Sequence, residues 1–355
     1  VENAFETVPK PIHTESSFMS SHNSQDDRDR EIGSALEGLF SMSVPANFGD
    51  ERDDSSRSSP SPENTPEKMR PEIGFANPYL TRMTLPYRKV ETNQIVVKNG
   101  NQTLYVTATG SGGLPYGKYP RLVLLWLTEQ VISNYAKYSD TDPRQKEINL
   151  GSSLRSFMKE VGISISGRSA SQLIEQIKRL SHTTFLIEET GHSDGKSYHK
   201  QASALVSEKL ELYWSGKDSA ASESTTSMLD SSIQLSSAFF ELLRERYFPY
   251  DKRILRHVQA SPMAIDIYLW LTQHGYANKK FLSLRWDDVM AQFGTSYNGH
   301  EITPSDRRDF RRKFDKALNK VREVYPEIRV ISEASKLTIL PFNASVNPLE
   351  IEKKD

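Results

Sequence analysis

Pro262-Met263-Ala264-Ile265-Asp266-Ile267-Tyr268-Leu269-Trp270-Leu271-Thr272 decides the fold, because the chain writes a version of it twice. Pro120-Arg121-Leu122-Val123-Leu124-Leu125-Trp126-Leu127-Thr128 starts with the same proline and closes with the same tryptophan, leucine and threonine. The repeat continues downstream. Phe157-Met158-Lys159-Glu160-Val161-Gly162 and Val289-Met290-Ala291-Gln292-Phe293-Gly294 are the matching ends of a second, short amphipathic segment. Residues 120–189 and 262–340 therefore each read as an apolar helix, a short helix, a third helix with a polar outer face, and strand-like sequence. Three helices and a strand hairpin is the order of a winged helix, a module that lays its third helix in the major groove of DNA. A tandem pair predicts one chain reading two neighbouring stretches on one face of a duplex.

The later third helix carries the strongest pattern. Thr303-Pro304-Ser305-Asp306 offers a start, with proline in the first turn and an acid favoured by the helix dipole. Phe310, Phe314, Ala317, Leu318 and Val321 fall on one stripe at 3.6 residues per turn. The opposite face holds Arg308, Arg312, Lys316 and Asn319, with Arg307, Arg311 and Lys320 toward its flanks. Residues 305–322 contain 8 Lys/Arg and 3 Asp/Glu, a net of +5. Long cations reach phosphates and guanine edges, and asparagine pairs with an adenine edge. The competing reading is a solvated charged face with pairs such as Arg311–Asp315. Glu327–Ile331 and Lys336–Leu340 read as the two wing strands, with Glu333–Ser335 as their turn.

The earlier third helix is less basic. Leu173, Ile174, Ile177 and Leu180 form its stripe. Arg168, Ser171, Gln172, Glu175 and Arg179 oppose it, with Lys178 beside them. Gln172 suits an adenine edge and Arg168 a guanine or a phosphate. Ser169 or Ser171 is the expected helix cap. An ordinary amphipathic helix is the alternative. The first wing is expected to run from Phe185–Glu189 through an excursion at Gly191–Gly195 and return over Ser203–Tyr213.

Charge is segregated along the chain. The 355 residues carry a net of −1, yet residues 1–72 hold 7 Lys/Arg against 15 Asp/Glu, leaving 38 against 31 in the remainder. An acidic tail masks a basic body, and a polyanion is the partner that suits the body. Residues 1–72 are rich in Ser, Asp, Glu and Pro and are expected to be disordered. An island at Ile32–Phe40 is either a transient apolar cluster or a docking segment. Gln94–Lys98 and Thr103–Thr107 flank Asn99-Gly100 as a hairpin. Residues 190–200 and 214–232 read as polar connectors. The expected division is a tail at 1–72, a winged-helix domain at 73–213, a linker at 214–232, a second winged-helix domain at 233–342 and a tail at 343–355. The fold class is α+β. Trp126, Tyr268 and Trp270 are expected in the core, and Asp287 and Asp288 in the first turn of a helix.

Several chemistries are excluded or unsupported. With no cysteine, disulfides and thiolate metal sites are ruled out. No apolar run reaches the ~18 residues of a membrane span, and no secretory leader is expected. Gly112–Tyr119 nearly spells a P-loop, but Tyr119 stands where magnesium needs Ser or Thr, and Pro115 and Pro120 remove backbone donors. The eight histidines are scattered without zinc or relaxase spacing. No catalytic, metal or cofactor site is expected, and the chain is read as a non-enzyme.

Two sets of residues resemble a known family. Leu114-Pro115-Tyr116-Gly117, Pro120-Arg121-Leu122, Trp126 and Leu154-Arg155-Ser156-Phe157-Met158 resemble the first half of plasmid RepA-type replication initiators. Asp251-Lys252-Arg253, Leu255, Ser261 to Leu271, Trp286, Gln292-Phe293-Gly294, Phe310 and Phe314 resemble the second half. The resemblance covers roughly residues 80–342. It implies a bacterial, cytoplasmic protein that binds repeats in double-stranded origin DNA, helps to melt adjacent DNA and recruits the host initiator and helicase. A homodimer is a further implied form, and no membrane partner is expected. The alternatives are a winged-helix transcriptional repressor and, from another class, an origin-nicking relaxase or an ATPase.

Overall fold

A computed structural model describes residues 71–346, except 83, 194–195, 215–228, 278–280 and 298–300. The expected disorder of residues 1–72, apart from its last two residues, and the island at 32–40 lie outside the described residues, as does most of the expected linker. The chain opens with β1 (Ile73–Ala76), α1 (Pro78–Arg82), β2 (Gln94–Asn99) and β3 (Gln102–Ala108). Next come α2 (Lys118–Lys137), β4 (Glu147–Gly151), α3 (Leu154–Glu160), α4 (Gly167–Ser181), β5 (Thr183–Ser193), β6 (Lys196–Leu205) and β7 (Ser207–Glu211). β8 (Ser231–Leu235), α5 (Ser237–Glu245), β9 (Phe248–Asp251) and α6 (Lys252–Val258) lead into the later half. That half is α7 (Pro262–Ala277), β10 (Leu282–Arg285), α8 (Trp286–Phe293), α9 (Pro304–Val324), β11 (Val330–Ser332) and β12 (Lys336–Ile339).

The repeat in the sequence is a repeat in packing. Trp126 of α2 meets Phe157 of α3 edge to face at 5.0 Å, and Trp270 of α7 meets Phe293 of α8 edge to face at 5.3 Å. The same tryptophan thus seats the first helix of each unit on the end of its second, a geometry that aromatic quadrupoles favour. All three aromatics expected in the core are there, with Tyr268 fully buried.

α9 forms for reasons legible in its first turn. Thr303 Oγ1 accepts from the Asp306 amide while an Asp306 carboxylate oxygen accepts from the Thr303 amide, a reciprocal capping box, and Pro304 occupies the first helical position. Its stripe of Phe310, Phe314, Ala317, Leu318 and Val321 is buried throughout. Phe314 sits between Trp286 at 5.7 Å and Phe293 at 5.5 Å, so α9 lies firmly on α8. Asp287 and Asp288 occupy the first turn of α8. α4 is capped by Ser166, whose Oγ accepts from the Ser169 amide, rather than by Ser169 or Ser171. The backbone of Ser166 is extended, which the capping position requires, whereas Ser169 and Ser171 are already inside the helix.

The two halves share element order but not strand pairing. In the later half β10, between the first two helices, joins the hairpin in the antiparallel order β10-β12-β11. In the earlier half β5 and β6 extend the β2–β3 hairpin into the order β2-β3-β5-β6, while β4 pairs with β8, which in turn pairs with β7. The β2–β3 hairpin turns at Gly100, where φ is +62°, a value glycine adopts without strain.

The expected excursion at Gly191–Gly195 instead continues the ladder as far as Ser193. β5 and β6 stay paired from Thr184↔Leu205 to Ser193↔Lys196, and the returning strand is 196–205, not Ser203–Tyr213. β3 ends its pairing at Glu189, so the hairpin beyond it has water on both faces and no reason to alternate polar and apolar residues. Polar sequence at 190–193 and 196–200 therefore reads as a connector while forming strand. A Cβ at Gly191 would come within 2.6 Å of the Tyr198 ring on the facing strand, so a larger residue there must displace that ring.

The halves are joined by buried chemistry. β1 pairs with β9, and Lys252 meets Glu129 at 2.6 Å. At the centre, Arg121 of α2 and Asp266 of α7 form a two-pronged pair at 2.7 and 2.8 Å, both side chains under 10% exposed. Arg121 also donates to the carbonyls of Leu85 at 2.6 Å and Gly117 at 2.7 Å, and stacks on the Tyr87 ring at 5.0 Å. Burial pushes the Asp266 carboxyl above its ordinary value, and the Arg121 guanidinium opposes that push.

Candidate nucleic-acid interface

α9 presents a graded set of cations. Arg308 and Lys316 are exposed, and Lys320 beside them is too. None of the three makes a hydrogen bond or ion pair with the described residues. The others are held. Arg307 pairs with Asp287 at 2.9 Å. Arg311 lies over the Trp286 ring at 5.2 Å and donates to the Ala334 carbonyl at 3.3 Å, with Asp315 at 3.7 Å. It therefore ties α9 to the turn between β11 and β12. Arg312 meets Asp309 at 2.6 Å and remains largely exposed. Asn319 is exposed and accepts from Arg322 at 3.0 Å. Such exposed pairs contribute little to stability, so opening them toward a polyanion costs little.

Asp309 organises the flank of α9. Lys313 lies 2.5 Å away, and Tyr297 and Arg312 also donate to it. These donors, Lys313 foremost, hold the Asp309 carboxyl well below the usual carboxylate range.

On α4, Arg168, Ser171 and Lys178 are exposed and Gln172 is half-buried. The Arg168, Ser171 and Gln172 side chains have no partner among the described residues. Arg179 is placed differently from the expectation. It is buried, pairs with Glu175 at 2.8 Å, donates to the Leu114 carbonyl at 3.2 Å and stacks on Tyr116 at 5.2 Å. With Gln176, which accepts from the Tyr116 amide at 2.7 Å, it fastens α4 to the loop ahead of α2. Arg179 is a packing residue, committed to Glu175 and the Leu114 carbonyl. Its helical position borders the apolar stripe, and the loop it bonds is distant in sequence, so the helix pattern alone could not reveal this.

The clefts beside the two helices adjoin. One cleft is lined by Lys313, Lys316 and Lys320 of α9, another by Arg168 and Gln172 of α4, and Tyr87, Arg88 and Pro262 line both. Arg88 and Lys118 border this junction, and the sequence pattern did not single them out. Neither lies on a periodic charged face, so no local signal marks them.

The described region is a protein of mixed helix and sheet. Residues 114–288 match the family model described as plasmid encoded RepA protein. That stretch is just under half of the chain, and its match bears out the resemblance to RepA-type replication initiators. It ends ahead of α9. No curated protein matches the chain. Among solved structures, two crystal structures of domains 2 and 3 of RctB are similar to it, each with a TM-score of 0.45. One is 11% identical and covers 73% of this chain and 94% of its own; the other is 10% identical, covering 78% and 99%.

Proposed function

We propose that the chain initiates plasmid replication by binding double-stranded origin DNA through two winged-helix units, with α4 and α9 as the groove helices. The observation that carries this reading is α9 itself: a wholly buried apolar stripe on one side, and Arg308, Lys316 and Lys320 on the other, unpaired among the described residues. A rigid rod with free cations matches what the major groove admits. The β11–β12 hairpin follows it in the position of a wing, braced by Arg311. Arg168, Ser171, Gln172 and Lys178 serve the adjacent stretch of DNA. Melting of neighbouring DNA and recruitment of a host initiator and helicase follow from the family as further parts of the proposal, and catalysis is not part of it.

The test is binding to a duplex that the wild-type chain selects from random-sequence DNA. Arg308→Ala with Arg312→Ala should weaken that complex by ~2–6 kcal/mol and relax its sequence preference, as expected when two base-reading side chains are removed. Unchanged affinity and footprint would remove α9 from the interface.

A further inference from the structure

The two clefts meet at Tyr87, Arg88 and Pro262 and so form one trough between α4 and α9. Arg88, Lys118, Arg168, Lys313, Lys316 and Lys320 line it, and no carboxylate does so among the described residues. Outside residues 1–72 the chain has 38 Lys/Arg against 31 Asp/Glu, so a lining of one sign is a departure from its mixed surface. Lys313 is neutralised by Asp309 behind it. The other five make no ion pair with the described residues. A neighbouring cleft shows the contrast: Lys178 and Arg179 line it together with Glu175 and Glu208, and its charge cancels.

The form of the trough selects its ligand. Its cations are divided between two adjoining clefts, which suits a chain of phosphates better than one small anion. Its aromatic rings are already occupied. Arg121 lies over Tyr87, Lys313 over Tyr297, Arg179 over Tyr116 and Lys118 over Tyr119, and Phe293 is fully buried. Stacking platforms for the bases of a single strand are therefore lacking among the rings that line it, so a duplex backbone fits better than unpaired bases.

We infer that this trough holds the sugar-phosphate backbone lying between the two groove segments entered by α4 and α9, with Arg88 and Lys118 gripping it without reading sequence. The inference rests on the reading of α4 and α9 as groove helices. It gives the seam between the halves a function of its own: the DNA between the two helices is held, not merely spanned.

The experiment uses the full chain and the duplex selected by the wild type. Arg88→Gln with Lys118→Gln should make the slope of log affinity against log salt shallower by ~1.8, about 0.9 for each phosphate that is no longer neutralised. The preference for the selected duplex over a scrambled one should be unchanged. Ethylation of phosphates between the two half-sites should block the wild type and no longer affect the variant. Lys89→Gln, an exposed neighbour outside the trough, should leave the slope near the wild-type value. An unchanged slope and ethylation pattern in the double variant would overturn the inference while leaving the groove helices standing. A slope reduced equally in Lys89→Gln would overturn it in favour of a general surface charge. If the wild type selects no duplex, the groove-helix reading falls and the trough falls with it.

Discussion

Removal of Arg121 tests what joins the halves. Arg121→Met keeps most of the side-chain volume and deletes the charge. It leaves the Asp266 carboxylate under 10% exposed and without its two hydrogen bonds, and it strips donors from the carbonyls of Leu85 and Gly117. Breaking one side of a buried ion pair costs ~3–5 kcal/mol, because the surviving charge has neither water nor partner. Asp266→Leu should cost less, since Arg121 keeps both carbonyls and the Tyr87 ring. The double variant should be more stable than the sum of the two single losses implies, by an interaction energy of ~1–3 kcal/mol. Urea denaturation of the four proteins measures all three quantities. Two single variants each within ~1 kcal/mol of wild type, or losses that simply add, would refute the view of this pair as the buried link between α2 and α7.

Arg179→Ala should destabilise the protein by ~2–4 kcal/mol, from the unsatisfied Leu114 carbonyl and weakened packing. The sequence preference of folded material should stay intact; a vanished preference at wild-type stability would return Arg179 to the interface. Asp309 governs an acid limb. Its folded carboxyl lies below its ordinary value of 3.8, so its contribution is fully present above that pH and is lost as pH falls through the folded value. Asp309→Asn should therefore flatten the fall of the urea midpoint with pH below about 4; an unaltered acid limb would contradict the Lys313–Tyr297–Arg312 arrangement. Phe314→Ala should cost ~3–5 kcal/mol, since that ring is fully buried between Trp286 and Phe293. A urea midpoint close to wild type would contradict the seating of α9 on α8.

The legible part of the fold was the part governed by local periodicity. The stripe on α9, its start at Thr303, the hairpins at 94–108 and 330–339 and the paired tryptophans all follow from spacing within a few turns of chain. Long-range pairing was not legible. Nothing in Glu147–Gly151 says that it joins β8 rather than the hairpin after α4, because strand partners separated by about eighty residues leave no mark on either sequence. The candidate site divides in the same way. Arg308, Lys316 and Arg168 were found by helical position, while Arg88 and Lys118 come from loop and helix-start positions that only the packed fold brings together. The Arg121–Asp266 pair did carry a signal. Each is a lone charge inside an otherwise apolar run, at closely similar places in the two repeats, and a lone buried charge needs an opposite one.

Entry of α4 and α9 into successive grooves on one face of one duplex is the proposition on which the rest depends. Single cysteines placed at Gln172 and Lys316 of this cysteine-free chain, each carrying a DNA-cleaving iron chelate, report where each helix lies on the selected duplex. The expected result is one cleavage cluster from each position, on the same face and about one helical turn (~10 base pairs) apart. Cleavage from one position alone, or clusters on opposite faces, would contradict it.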